Sequence, residues 1–376
     1  MLIAQAGISI FGLPINPALF AFILVTVLFG GLNILEYKRF DQQIDEGLAF
    51  MITAFLFLLV GLVILIIAGD IMVRGAAALA RHWGVPALIV GLTIVAFGTS
   101  APEMVVGVQA ALMGEGDLAA GNVVGSNIAN VLLALGLPAL ILAIPTNMSG
   151  VGRNSCIAFF AALLFVILAF MHSPLLRWQG AILFGGIIAY LFFMFRLAKA
   201  GADDPILEEM TEIDEGEDGL PTNTIKSLVY VILGIAGLVL GGNLIVDNAV
   251  SIATGFGVSA TIIGLTIVAI GTSLPEIATV IVATYRGHPE VAIGNVLGSN
   301  VFNVFAVMGA SALAGPIAID KSLMRFDFWV MLLSSFVLVL YVLRRQPIGR
   351  KTGIIFTLAY AAYLLAVIFL TPLMGK

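Results

Sequence analysis

The sequence predicts an all-α polytopic membrane protein, with two inverted five-helix repeats forming a ten-helix core and one extra N-terminal transmembrane helix. Three observations predict this fold: a very apolar composition, recurring uncharged segments and one motif that occurs twice. Of the 376 residues, 61% are hydrophobic and 10% are charged, whereas globular domains carry about 25% charged residues. The composition therefore excludes a water-soluble fold.

The uncharged segments define the predicted helices. A helix of about 20 apolar residues crosses the hydrocarbon of a bilayer, and hydropathy indicates eleven such spans. Their approximate bounds are 17–35, 48–69, 84–113, 118–142, 154–171, 178–195, 227–246, 257–285, 291–315, 328–343 and 352–372.

Four segments follow from these spans. Residues 1–47 hold the extra helix and a linker, and this helix is expected to be retained because no basic stretch of a signal peptide precedes it. The first repeat covers 48–199 and the second covers 225–376. Between them, 200–224 is predicted to be a solvated loop, because nine of the chain's 22 acidic residues lie there.

Basic residues predict the orientation in the membrane. If the spans alternate, eleven lysines and arginines lie on one side and six on the other. The excess of positive charge on cytoplasmic loops then places the N-terminus and the acidic loop in the cytoplasm. The single cysteine, Cys156, excludes an intramolecular disulfide and a site built of several thiolates.

The repeat is the strongest feature of the sequence. Gly91-Leu-Thr-Ile-Val-Ala-Phe-Gly-Thr-Ser-Ala-Pro-Glu103 aligns without a gap with the segment from Gly264 to Glu276 at eleven of thirteen positions. The same superposition also places Gly121-Asn-Val-Val-Gly-Ser-Asn-Ile-Ala-Asn-Val131 over the segment that begins at Gly294, with eight of eleven positions identical. Each repeat holds five spans, and this odd number predicts that the second repeat enters the membrane from the opposite side. Inverted repeats that meet near the bilayer midplane are an architecture of secondary transporters.

The spacing of the first block predicts a polar site. Thr99 and Glu103 are four residues apart and share a helix face, as do Thr272 and Glu276. Ser100 and its equivalent Ser273 border the same faces. Pro102 and Pro275 lack an N–H, so we expect each helix to break there and to free the carbonyls near Ala96 and Ala269.

The second block lies in the predicted helices 118–142 and 291–315, here called the companion helices. It gives each of them a polar stripe. Asn122, Ser126 and Asn130 recur every four residues, and so do Asn295, Ser299 and Asn303. The four predicted helices that carry these blocks, called the motif helices, are 84–113, 118–142, 257–285 and 291–315, and they contain no lysine, arginine, histidine or cysteine. Two glutamates without a cationic partner favour an ion site over a structural ion pair, and a set of oxygen ligands suits calcium rather than zinc or copper.

These motifs resemble the α-repeats of the cation/calcium exchanger superfamily, and most closely those of the prokaryotic sodium/calcium exchangers. The resemblance covers residues 48 to 372 and implies that Glu103 and Glu276 bind calcium and sodium. It implies four adjoining sites, one for calcium and others for three sodium ions, and helices matching 48–69 and 227–246 that slide against a rigid core. The ligands it implies besides the glutamates are Thr99, Thr272, Ser100, Ser273, Ser126, Ser299, Asn130 and the carbonyls of Ala96 and Ala269.

Two features depart from that pattern. Asn303, the repeat equivalent of Asn130, stands where several relatives carry an aspartate, and we include it among the predicted ligands. The extra N-terminal helix lies outside the ten-helix core.

Three functional hypotheses are weighed, together with a cation channel. The first is a sodium/calcium antiporter that works by alternating access, and the second is a proton-coupled exchanger of calcium or another divalent cation. An intramembrane hydrolase would need a base beside a motif serine, and no histidine lies in the motif helices. A cation channel is disfavoured because exchange needs an occluded site. The expected partners are calcium and sodium ions and the lipid of a prokaryotic inner membrane, with no cofactor and no nucleic acid. The sequence leaves the oligomeric state open.

Overall fold

The computed structural model describes residues 8–10, 13–15, 45–82, 100–199, 223–285 and 289–369. In these ranges eight helices are long and apolar enough to cross a membrane, and two shorter apolar helices accompany them. The predicted all-α fold is confirmed there, apart from one short antiparallel hairpin of β1 (Ile8–Ile10) and β2 (Leu13–Ile15). The predicted span 17–35 and nearly all of the acidic loop lie outside the described residues.

The helices follow one another in the predicted order. The first repeat contains α1 (Asp45–His82), α2 (Ala101–Met113), α3 (Gly116–Ala129), α4 (Val151–Met171) and α5 (Arg177–Lys199). The second contains α6 (Thr224–Phe256), α7 (Ala260–Thr272), α8 (Leu274–Tyr285), α9 (Pro289–Phe302), α10 (Phe328–Leu343) and α11 (Arg350–Phe369).

Two helices are much longer than hydropathy predicts. The predicted span 48–69 ends where charged residues begin, but α1 continues to His82, and Arg74 Nε lies 3.0 Å from Asp70 Oδ2 one turn away. In α6, the Asn223 side chain accepts a hydrogen bond from the Lys226 N–H at 2.8 Å, and the helix ends at Phe256, followed by Gly257 with φ of 64°. An i,i+4 ion pair and a good N-cap stabilise helix outside the apolar stretch.

A pseudo-twofold axis relates the two repeats, which run in opposite directions. Ile144 exchanges backbone hydrogen bonds of 3.1 and 2.9 Å with Ile348, and Leu175 exchanges bonds of 2.8 and 3.0 Å with Ile317. The alignment of the two repeats pairs Ile144 with Ile317 and Leu175 with Ile348, so each bridge is the repeat image of the other. Helix α4 begins beside the first bridge and ends beside the second, whereas α10 runs the other way. The predicted inversion is therefore confirmed.

Burial follows the repeat. The spans Gly116–Leu140 and Ala292–Ala314, which hold α3 and most of α9, are each 83% buried. The spans of α5 and α11 are each only 28% buried and face outwards. The companion helices of the motif thus form the centre of the molecule.

Helices α1 and α6 pack along each other and cross at glycines. A Cβ added to Gly61 would lie 3.0 Å from the carbonyl oxygen of Gly241, and one added to Gly241 would lie 2.9 Å from that of Gly61. Because neither position carries a side chain, the two backbones approach closely.

Candidate functional site

The motif helix of the second repeat breaks at the position that the prolines predict. Helix α7 ends at Thr272, Ser273 has φ and ψ of −84° and 2°, and α8 begins at Leu274. In the first repeat Ser100 has nearly the same angles, −94° and 7°, and α2 begins at Ala101. Proline is tolerated in the first turn of a helix, where its missing N–H has no partner in any case.

This break places both glutamates at helix N-termini. Glu103 lies in the first turn of α2 and Glu276 in the first turn of α8. The partial positive charge of a helix N-terminus favours a carboxylate there. Their side chains are 0% and 1% exposed, so each carboxyl is wholly withdrawn from solvent.

The expected freeing of the Ala269 carbonyl is wrong in one respect. That carbonyl still accepts the Ser273 N–H at 3.1 Å. The proline removes the N–H that would reach Gly271, four residues before Pro275, and not the one that reaches Ala269. A carbonyl oxygen has two lone pairs, so the Ala269 carbonyl can accept from a second partner beside the Ser273 N–H. Ala96 lies outside the described residues.

Glycines bring α3 of the first repeat against α7 of the second. A Cβ on Gly121 would lie 2.5 Å from the Thr261 carbonyl oxygen, and one on Gly264 would lie 2.6 Å from the Leu118 carbonyl oxygen. Any larger residue at these two positions would separate the helices. The glycines of the motif therefore set the distance between the two halves of the site.

Three polar contacts then join the repeats across this junction. The Ser273 hydroxyl donates to Glu103 Oε1 at 3.3 Å. The Thr272 hydroxyl lies within reach of Asn122 Oδ1 at 3.2 Å and of its own helix's Val268 carbonyl at 3.0 Å.

The Ser126 hydroxyl donates to the Ala269 carbonyl at 3.5 Å. Predicted site residues from both repeats thus lie together in one buried cluster. Asn122, which the sequence placed on the polar stripe but not among the ligands, belongs to this cluster.

The remaining predicted ligands are also buried. Ser100 and Asn303 are each 1% exposed and Ser299 is 5% exposed. The repeat images of the contacts made by Thr272 and Ala269 would involve Thr99 and Ala96, which lie outside the described residues. The structure therefore describes one half of a two-part arrangement.

Both companion helices change their winding at the predicted amides. Helix α3 passes into a π-helical turn at Asn130–Ala134, and α9 passes into one at Asn303–Met308. Such turns are rare and concentrate at functional sites. Sequence periodicity gives no signal for them.

Two further buried amides were missed by the sequence interpretation. Asn130 Nδ2 donates to Asn300 Oδ1 at 3.1 Å, and Asn127, the repeat equivalent of Asn300, directs its Nδ2 to Met331 Sδ at 3.9 Å. Both stand at the last position of Gly-Asn-Val-x-Gly-Ser-Asn, so their presence in both copies was the available signal.

The cluster offers carboxylate, hydroxyl, amide and carbonyl oxygens, with no basic side chain in the motif helices. Hard cations such as calcium bind six to eight oxygen ligands in flexible geometry. Two ionised glutamates without compensation would be costly in a buried site. The arrangement is therefore suited to binding cations.

Comparison with known proteins supports this interpretation. A family model described as sodium/calcium exchanger protein matches residues 53–196 and again residues 226–369. In the alignment of the repeats, residue 53 pairs with 226 and residue 196 pairs with 369. The two matches are therefore the two copies of the repeat.

Curated relatives match over nearly their whole length. CaxA of Alkalimonas amylolytica is 40% identical over 83% of this chain and 98% of that protein. The sodium/calcium exchanger MaX1 of Methanosarcina acetivorans is 31% identical over 85% of this chain and 100% of that protein. A solved structure of the sodium-calcium exchanger NCX_Mj, soaked with sodium and strontium, is 28% identical with a TM-score of 0.52, covering 85% of this chain and 99% of that one.

Proposed function

Because this chain belongs to the sodium/calcium exchanger protein family, we propose that it exchanges calcium for sodium across a membrane by alternating access. Cation/calcium exchange is the activity that the family supports. The observation that carries the finer proposal is the contact between Ser273 of one repeat and the wholly buried Glu103 of the other. It joins the two halves of the motif around a carboxylate that has no basic partner among the described residues.

The charge of the site supports an electrogenic cycle. Two glutamates give the site a charge of −2, which one calcium ion neutralises. Three sodium ions, the number that the family resemblance implies, leave it at +1. The two loaded forms therefore differ by one charge, and each cycle moves net charge.

Helices α1 and α6 are the elements proposed to move. Their contacts with the site helices use glycines: a Cβ on Gly271 of α7 would lie 2.6 Å from Leu62 Cδ1, and one on Gly242 of α6 would lie 2.7 Å from Val105 Cγ1. In each contact a side chain packs on the smooth backbone surface of a glycine, which favours sliding of one element past the other. Because these helices cross each other at Gly61 and Gly241, we propose that they slide as a pair.

Proton coupling is the second candidate. Glu103 Oε2 is buried and has no hydrogen-bond partner among the described residues, so a proton would neutralise this carboxyl without further ligands. The residues Gly-Thr-Ser-x-Pro-Glu of both copies favour sodium, through their resemblance to the sodium branch of the superfamily.

Calcium uptake by proteoliposomes decides between these two proposals. Purified protein is reconstituted, and uptake is measured with outward gradients of sodium, potassium or protons at clamped membrane potential. We expect rapid uptake only with the sodium gradient. Uptake driven equally by a proton gradient would replace sodium coupling with proton coupling.

Exchange is also proposed to be independent of potassium. Asn303 and Asn130 are amides, so potassium beside calcium would leave a buried site at +1 with no counter-charge, which a low local dielectric penalises. Sodium-driven calcium flux should be equal in potassium and choline media. A several-fold stimulation by potassium would show that this charge argument is wrong.

Orientation remains a proposal as well. We place the acidic loop in the cytoplasm and the membrane as a prokaryotic inner membrane, on the basis of the eleven-to-six distribution of basic residues. With Cys156 replaced by alanine, a cysteine introduced at Glu212 should be protected from an impermeant label added outside cells. Labelling of that cysteine in intact cells would invert the orientation.

A further inference from the structure

A chain of buried amides connects the two companion helices. Asn130 of the first repeat donates through Nδ2 to Asn300 Oδ1 at 3.1 Å, and Asn300 donates through its own Nδ2 to the backbone carbonyl of Asn127 at 3.5 Å. The side chains of Asn130 and Asn300 are 1% and 4% exposed. Each bond of this chain crosses from one repeat to the other.

The last acceptor determines the direction of every bond in the chain. A backbone carbonyl only accepts, so the group of Asn300 that faces Asn127 must be the amide nitrogen. The oxygen of Asn300 then faces Asn130, and the group of Asn130 that meets it must again be the nitrogen. The oxygen of Asn130 is thereby turned away from Asn300, and it has no hydrogen-bond partner among the described residues.

The free oxygen of Asn130 belongs to the same helix face as the ion site. Asn130 lies one turn after Ser126, whose hydroxyl donates to the Ala269 carbonyl, and residues four apart share a face. An amide can offer a cation only its oxygen, because its nitrogen carries two hydrogens. If the side-chain amide of Asn130 were flipped, its NH2 group would face the cation and repel it.

We propose that Asn300 is a positioning residue that holds the Asn130 amide with its oxygen turned towards the transported cation. This proposal rests on the proposed function, in which Asn130 is a ligand. Asn300 itself does not touch the ion. It acts as the outer partner of a metal ligand does, by fixing the orientation of that ligand before the ion arrives.

The other repeat supplies a matched comparison. Asn127, the repeat equivalent of Asn300, directs its Nδ2 to the sulfur of Met331 at 3.9 Å, and a thioether is a weak acceptor. Asn127 Oδ1 is buried and has no hydrogen-bond partner in the described part of the chain. Among the described residues, this device therefore orients Asn130 and not its repeat equivalent Asn303, and the side chain of Asn127 serves as a control.

The test measures the calcium KM and the maximal rate of sodium-driven uptake for Asn300→Leu, Asn127→Leu and Asn130→Ala. Asn300→Leu should raise the calcium KM by about 10-fold, the lower end of the range for outer-shell partners, with the maximal rate within about twofold. Asn127→Leu removes a poorly paired amide while keeping its backbone carbonyl, so its KM should stay within about twofold of the unaltered protein.

A double variant separates positioning from general damage. In an Asn130→Ala background, Asn300→Leu should raise KM no further, because its effect passes through Asn130. An equal rise in both backgrounds, or an unchanged KM in Asn300→Leu alone, would overturn the proposal. Should Asn300→Leu fail to fold, Asn300→Ser, which also removes the amide, replaces it with the same expected and contrary results.

The failure of the proposed function has a different signature. If Asn130→Ala leaves the calcium KM unchanged, then Asn130 is not a ligand, and the ligand set proposed above is wrong whatever Asn300 does. If the unaltered protein shows no sodium-driven uptake, the coupling ion is wrong. In that case the same variants are compared by calcium binding to the purified protein, with the same expected loss of about 10-fold for Asn300→Leu.

Discussion

The two repeats match in burial but differ in their polar contacts. Their companion helices are equally buried, and their outer helices are equally exposed. Yet Ser273 of the second repeat donates to Glu103 of the first, whereas Ser100, the repeat equivalent of Ser273, has no hydrogen-bond partner among the described residues. Burial is therefore conserved between the repeats, whereas the Ser273 contact has no counterpart at Ser100 among the described residues.

A second difference lies farther from the site. Asp327, in the turn before α10, is wholly buried and accepts the Tyr363 hydroxyl at 2.9 Å. The equivalent residues of the first repeat are Asn154 and Tyr190, which are also buried. The second repeat therefore carries a buried carboxyl where the first carries an amide. This position lies away from the ion site, so a carboxyl and an amide can replace each other there. A carboxylate ligand of the ion site has to keep its charge.

The largest expected effect comes from removing either charge of the site. Glu103→Gln and Glu276→Gln should each reduce sodium-driven calcium uptake by about 100-fold or more, because loss of a carboxylate ligand costs on the order of 3 kcal/mol. If the repeats contribute equally, both variants fail alike. Near-normal uptake in one of them would assign the charge requirement to a single repeat.

A nearby acid provides the control. Glu115 lies just after the C-terminal end of α2, where burial raises its pKa and the negative charge of Asp117 raises it further. Glu115→Gln removes an acid from the same region without altering the site, so uptake should remain within about twofold. A loss like that of the site variants would attribute the effect to the electrostatics of the whole region.

Much of the fold and part of the candidate site could be predicted from the sequence. The odd number of spans in each repeat predicted the inversion, and Pro275 predicted the helix break, because a proline acts on its own helix. The long C-terminal ends of α1 and α6 were missed because the predicted spans were ended at the first charged residue, Asp70 or Asp247, whereas both helices continue past it. The roles of Asn127 and Asn300 depend on which helix lies opposite, and no periodicity along one chain contains that information.

The next effect is on packing between the repeats. Gly125→Ala would place a Cβ 2.6 Å from the Leu265 carbonyl oxygen and 2.7 Å from the Ala269 Cβ. We expect a loss of stability of at least about 1–3 kcal/mol, the usual cost of overpacking, visible as a lower melting temperature in detergent.

Gly185→Ala is the matched substitution, because its added Cβ meets no atom of the described residues within 4 Å. This glycine lies on the exposed face of α5, and alanine is favoured over glycine in helices by about 1 kcal/mol. Its melting temperature should not fall. Equal destabilisation by both substitutions would mean that helix α3 does not need its close approach to α7.

The smallest effect concerns Asp327 and Tyr363 of the second repeat, whose equivalents in the first repeat are Asn154 and Tyr190. Tyr363→Phe removes the donor to Asp327 and should lower stability by about 1–3 kcal/mol, the cost of leaving a buried polar group unpaired. Asp327→Asn recreates the amide of the first repeat and still accepts the tyrosine hydroxyl, so its change should stay below about 1 kcal/mol. Thermal melting of the two purified variants ranks them, and the reverse order would show that the charge of Asp327 is needed.

We propose that the two repeats share one calcium site rather than holding one site each. Equilibrium binding of radioactive calcium to purified protein in sodium-free buffer tests it most directly. We expect about one calcium ion per chain, lost in both Glu103→Gln and Glu276→Gln. Two ions per chain, with each variant losing only one of them, would contradict it.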